Sequence, residues 1–212
     1  EVSLQEKISI VFFIMNEVGI FLDLKNELEN EINFWKEKFR KTFGYQLFID
    51  HPPHITLHNF FTDNLDQILN ELIHDKLDNL YPLKSHILKT SYFPEDSKTH
   101  TTNLHYLVHK DNKLSDLQKN IVNKLAPFVN SKFSSKFDNE ELNTNNRIYK
   151  YPYVGDMWIP HISICSLDKL KFENEVINEF INFVPDHEIE INKISIYTIH
   201  ESNHSIVKEI SL

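Results

Sequence analysis

A chain of 212 residues with 41% hydrophobic content is long enough to bury the core of one compact domain of two lobes, or of two small domains at most. Its formal net charge of -9 opposes broad, sequence-blind binding to phosphate backbones, which needs a basic stripe to release counterions, but a local phosphate site is compatible with it. The longest strongly apolar run, Ile8 to Met15, falls far short of the roughly 20 residues of a membrane-spanning helix, and the lone Cys165 excludes an intrachain disulfide framework and a cysteine zinc cluster.

Ile8 to Met15, nearly continuous in Ile, Val and Phe, reads as a strand covered on both faces. A helix follows behind Asp23 as N-cap, with Leu24, Leu28, Ile32, Trp35, Phe39 and Phe43 at spacings of three or four and Gly44 as the stop. Pro53 to Phe61 alternates as a strand, and Asp63 caps a second helix striped by Leu65, Ile68, Leu69, Leu72 and Ile73. Strands near Leu83 to Ser91 and Asn103 to His109 are joined by a loop, and a third helix carrying Leu114, Leu117, Ile121 and Leu125 ends at Pro127. The polar stretch from Asn130 to Asp156 is irregular and too long for a tight connection, the usual mark of a functional or mobile segment. Trp158 to Leu167 is again a strand, Phe172, Val176, Ile177 and Phe180 mark a fourth helix, and Glu188 to His200 and Ser205 to Leu212 are alternating runs either side of the turn ESNH. The order of elements in the first half recurs in the second, a repeat of pattern and not of identity.

Two segments carry chemistry: HPPHITLHNFF at 51 to 61 and MWIPHISICSL at 157 to 167. On a strand His54 and Thr56 share one face and Ile55 and Leu57 the other; His161 and Ser163 likewise oppose Ile162 and Ile164. Each strand thus offers an imidazole and a hydroxyl on a rigid scaffold. Two such pairs facing each other suit attack on a phosphodiester. One imidazole takes a proton from water, the other gives one to the leaving oxygen, and the hydroxyls hold the non-bridging oxygens. That chemistry demands neither a metal nor any other cofactor.

These paired His-Ile-Thr/Ser motifs, the sequence FGYQLFIDHPPHITLHNFF and the closing ISIYTIHES resemble the 2H phosphoesterase superfamily, whose bacterial branch is labelled 2'-5' RNA ligase-like or RNA cyclic phosphodiesterase. The resemblance spans Ile8 to Leu212. It implies an α+β fold of two pseudo-symmetric lobes, each an antiparallel sheet with helices outside, forming a single domain over residues 1–212 with the insertion at 130–156. It further implies a cleft between the lobes and metal-independent cleavage of cyclic or 2',5'-linked nucleotide phosphodiesters, with His54, Thr56, His161 and Ser163 as the catalytic set. The expected partner is a nucleotide or an RNA end, and the expected state is a cytoplasmic monomer away from membranes. Because the chain opens on Glu1, a processed targeting segment stays open.

Other residues divide between functional and plain readings. His51, His54 and His58, the last expected on the face of His54, are close enough to suggest a metal site, but the second motif offers no matching carboxylate or imidazole, and His51 and His58 are read as cleft-wall or surface residues. Arg147, with Tyr151 and Tyr153 in the insertion, could hold a base and a phosphate, against the plain reading of a solvated loop. Trp158 is a stacking candidate and equally a core residue. Cys165, expected on the face of His161, lacks an activating neighbour and is assigned to packing. His200 and His204 are assigned to an exposed turn.

Overall fold

The computed structural model describes residues 15–24, 26–73, 83–95, 100–133, 136–168, 174–200 and 203–212. The expected strand at Ile8 to Met15 lies outside them, Met15 excepted. The first described strand is β1 (Asn16–Asp23), where Val18, Ile20 and Leu22 face the core and Gly19 and Phe21 the other side. Asp23 therefore belongs to a strand and caps no helix; its carboxylate accepts from Ser195 and pairs with Lys193. Helix α1 (Asn26–Phe43) buries Leu28, Ile32, Trp35 and Phe39, and Gly44 closes it at φ +76, donating to the Arg40 carbonyl at 2.9 Å.

The chain continues through β2 (His54–Thr62), α2 (Leu65–Ile73), β3 (Leu83–Phe93), β4 (Thr102–Val108) and α3 (Asn112–Leu125). Asn64, and not Asp63, caps α2, its Oδ1 accepting from the Gln67 amide at 3.1 Å. The segment expected to be irregular holds the two-residue strand β5 (Asn130–Ser131) and a regular helix, α4 (Glu140–Tyr149), capped by Asn139. Asn and Thr in place of an apolar stripe hid this helix. Its Asn143, Asn145 and Asn146 reach backbone carbonyls of Phe137, Pro152, Val154 and Phe133 instead. Then come β6 (His161–Leu167), α5 (Glu175–Asn182), β7 (Glu188–Ile191), β8 (Lys193–His200) and β9 (Asn203–Ser211). The run Glu188 to His200 is thus two strands, divided at Asn192 and placed in different sheets.

Two antiparallel sheets result, ordered β5-β2-β1-β8-β9 and β6-β4-β3-β7. Each is completed by chain from the other half. Of the strands following β2, β4 pairs with β6 and carries β3 beside it; of those closing the chain, β8 pairs with β1 and carries β9. The helices cross over as well: α1 packs on β6 and α5, while α3 packs on β2. One contiguous core runs through both lobes, from Leu57, Phe60, Leu114 and Ile121 to Trp35, Phe39, Ile164 and Phe180. This is the expected α+β arrangement of two antiparallel sheets with helices on their outer faces.

Each motif strand carries a bulge at the same place. Ile20 faces His58 and Phe21 faces Thr56, leaving Leu57 over; Leu104 faces Cys165 and His105 faces Ser163, leaving Ile164 over. Both extra residues lie three positions past the motif histidine and are fully buried. Gln118 donates from Nε2 to the Leu57 carbonyl at 3.2 Å and to the Tyr153 carbonyl at 2.9 Å, tying the first bulge to the segment after α4.

Candidate active site

His54, Thr56, His161 and Ser163 line one cavity of about 340 Å³. The two imidazoles are held alike. His54 Nδ1 lies 2.7 Å from the Pro52 carbonyl and His161 Nδ1 lies 2.8 Å from the Ile159 carbonyl, in both cases two residues back across a proline. A residue before proline is confined to extended conformations, so the sequence x-Pro-His aims that carbonyl repeatably. A carbonyl only accepts, so Nδ1 carries the hydrogen and Nε2 is left for proton transfer.

The surroundings of the two histidines differ. Phe21 stacks on His54 with ring centroids 4.0 Å apart. Gly19 makes room for it: a Cβ there would meet the Phe21 ring at 2.3 Å. Burial pushes the His54 imidazole down to about 4; the Pro52 carbonyl opposes this, and the neighbouring His204, Lys36 and His161 add to the depression. His161 instead meets the edge of Phe93 at 5.0 Å and the ring of His105 at 5.1 Å. Fully buried His105, pushed by burial to about 3, stays neutral and donates from Nδ1 to Asn103 Oδ1 at 3.2 Å. Asn103 then donates from Nδ2 to Ser163 Oγ at 3.1 Å. With its oxygen engaged as acceptor, Ser163 has its own O–H for the cavity. Thr56 is fixed through its backbone, the carbonyl accepting from Trp158 Nε1 at 3.1 Å.

The bulges reassign several expected residues. Past Leu57 the alternation shifts by one, so Asn59 continues the cavity face of His54 and Thr56 while His58 turns into the protein, fully buried against Phe60 and Tyr151. The expected alignment of His58 with His54 is therefore overturned. Cys165 is likewise carried off the face of His161 into the core, where burial pushes its thiol up to about 12. Among the described residues no three His, Cys, Asp or Glu converge as metal ligands.

Tyr151, Tyr153 and Trp158 line the cavity, Tyr151 and Trp158 as nearly buried walls. Arg147 does not; it is exposed on α4, away from the cavity lining. His204, assigned to an exposed turn, lines the cavity instead, with its ring 4.1 Å from that of His51. The motif spacing gives no role to Phe21, Asn59, Asn103 or His105, which the structure brings to or beside the cavity. The alternation of Asn103 and His105 in TNLHYLV was a usable signal; the places of Phe21 and Asn59 depend on register and bulge, which one strand's sequence does not carry.

The structure is similar to E. coli LigT complexed with NADP+, at 11% identity and a TM-score of 0.58, with 93% of this chain and 98% of that chain covered. TT0787 of Thermus thermophilus matches at 14% identity and a TM-score of 0.58, covering 92% of this chain and 97% of that one. A further solved structure, described as a phosphoesterase, matches at 12% identity and a TM-score of 0.57, covering 93% and 98%. At such identities these likenesses establish the fold, that of LigT and the 2H phosphoesterases. No curated protein sequence matches the chain. The sequence profile of the 2'-5' RNA ligase superfamily matches residues 25–203, from the start of α1 to the start of β9, and the chain belongs to that superfamily.

Proposed function

We propose that this protein is a metal-independent phosphodiesterase that opens 2',3'-cyclic phosphates of nucleotides or RNA ends. The observation that carries the reading is the like tethering of His54 and His161 through Nδ1, with both rings and the Thr56 and Ser163 side chains on one cavity. His54, kept neutral by burial, takes a proton from water at Nε2 as the water oxygen bonds to phosphorus. The bond to one ring oxygen of the cyclic phosphate breaks, and His161, protonated at Nε2, supplies the proton that oxygen needs. Thr56 and Ser163 donate to the non-bridging oxygens as charge builds on them. Strand pairing supports a fixed separation of the groups, since neither motif lies on a loop.

Crystals of E. coli LigT with 3'-AMP and with ATP support a nucleotide as the ligand of a cleft of this kind. The acidic chain favours a small nucleotide or an RNA end over long RNA, and a monomer acting in the cytoplasm accords with a single, buried cysteine. The test is a panel of 2',3'-cyclic mononucleotides, 2',5'- and 3',5'-linked oligonucleotides and cyclic dinucleotides, assayed with EDTA present. The cyclic mononucleotides should be opened to monoesters. Turnover confined to the 2',5'-linked oligonucleotides or cyclic dinucleotides would move the substrate and keep the chemistry. Turnover abolished by EDTA and restored by zinc or manganese would overturn the mechanism, and binding without turnover of any substrate would make the chain a nucleotide-binding module.

A further inference from the structure

We propose that the end of the cavity walled by Phe133, Tyr151 and Tyr153 is a nucleobase pocket, and that the Asn59 carboxamide reads the edge of the base. This rests on the phosphodiesterase reading and names what flanks the phosphate. Asn59 reaches the cavity because the bulge at Leu57 turns it to the same face as His54 and Thr56. Opposite it on β1 stands Gly19, which brings no side chain of its own to that face. The Asn59 backbone amide donates to His58 Nδ1 at 3.1 Å, but the carboxamide Oδ1 is shut from solvent with no hydrogen-bond partner. A buried carbonyl left unpaired costs roughly 1–3 kcal/mol; Oδ1 has no accessible surface as it stands, so the carboxamide meets a ligand donor by turning about its Cβ–Cγ bond toward the cavity that Asn59 lines.

The chemistry of that donor follows from the neighbours. Tyr151 and Tyr153 contact each other at 5.7 Å between centroids, and Phe133 contacts them at 6.1 and 5.6 Å, a packed aromatic wall and not an open cage for a cation. Lys132, next to this wall, is paired with Glu17, so a second phosphate finds no spare charge there. A neutral, flat heterocycle fits: one face stacks on the aromatic wall, while an N–H beside an acceptor meets the acceptor and donor that a carboxamide presents in one plane.

Kinetics and binding test this on the whole chain with Asn59→Leu, which removes both hydrogen-bonding groups, and Asn59→Asp, which keeps an acceptor and loses the donor. The four 2',3'-cyclic nucleotides are compared by kcat/KM, and the four nucleoside 3'-monophosphates by calorimetry. The wild type should favour one base by about tenfold or more, the lower range for a bidentate edge contact. Asn59→Leu should compress that spread to within about threefold, and Asn59→Asp should reorder it. Should Asn59→Leu fail to fold by thermal melting, the Asp variant carries the test. A spread unchanged in a folded variant overturns the pocket while leaving the phosphodiesterase reading intact, as does wild-type turnover with no base preference. Base-selective binding that depends on Asn59, without turnover, supports the pocket and overturns the catalytic reading. Neither binding nor turnover overturns both.

Discussion

At the scale of the residue, the two histidines share a tether and differ in environment, and the proposed mechanism divides their roles on that difference. Replacing either His54 or His161 by Ala should lower turnover by roughly 10²–10⁴-fold, the usual worth of a positioned acid or base. The double variant should fall well short of the product of the singles, because the pair acts as a unit; steady-state kinetics of the three proteins decide it. The pH dependence follows from burial. His54, His58 and His105 are held near 4, 3 and 3 against an ordinary value of 6.5, so the unfolded chain binds more protons than the folded one between those limits. Stability is therefore full above about 6.5 and falls as pH drops toward 3. The base limb of the rate profile should sit near 4, inside that window. Melting curves at each pH separate loss of the fold from protonation of His54, and a base limb near 6.5 in a folded protein would hand the base role elsewhere. Asn103 acts through Ser163, so Asn103→Leu should cost about tenfold in kcat with little change in KM, less than removing a donor outright. In a Ser163→Ala background the same change should cost almost nothing further. An equal loss in both backgrounds would give Asn103 a merely structural part.

At the scale of the element, most of the fold was legible because its periodicities are strong. Helix α1 and helix α3 show their buried stripes outright, and the two motif strands alternate cleanly as far as Thr56 and Ser163. What the sequence hid has physical reasons. Strand β1 opens on Asn and Glu and is broken by Gly19, which weakens the alternation a strand shows in sequence. Helix α4 is held by asparagine amides on backbone carbonyls, an arrangement with no hydrophobic period. The bulges are features of pairing between strands, and a one-residue slip moved His58 and Cys165 off the catalytic face and Asn59 onto it. Gly19 joins β1 to the chemistry: Phe21 leans into the space that glycine leaves and covers His54. Gly19→Ala should displace the Phe21 ring, open His54 to water, raise its pKa toward 6.5 and move the base limb of the rate profile with it. NMR titration of the His54 imidazole gives the shift directly. An unmoved pKa would show that other walls keep it dry.

At the scale of the whole molecule, the exchange of strand pairs and helices between halves makes the cleft a property of the entire chain. The first sheet needs β8 and β9 from the end of the sequence, the second needs β3 and β4 from its first half, and the core is continuous between them. Neither lobe can close until chain from both halves is in place, so the lobes should unfold together although a chain of this length could populate intermediates. The two tryptophans offer one reporter in each layer. Trp35 packs edge-on to Phe180 at 5.2 Å between centroids beside the second sheet, and Trp158 donates to the Thr56 carbonyl of the first. Trp35→Phe leaves fluorescence from Trp158 alone, and Trp158→Phe leaves Trp35. In each variant the fluorescence midpoint in urea should coincide with that from far-ultraviolet circular dichroism of the same protein. Leu57→Ala, a cavity at the first bulge, should then lower stability by about 2–5 kcal/mol as read by either tryptophan. If Trp158 reported the loss while Trp35 kept its original midpoint, the lobes would be separate folding units, and the fixed spacing of His54 and His161 would have to come from ligand closure instead of the fold.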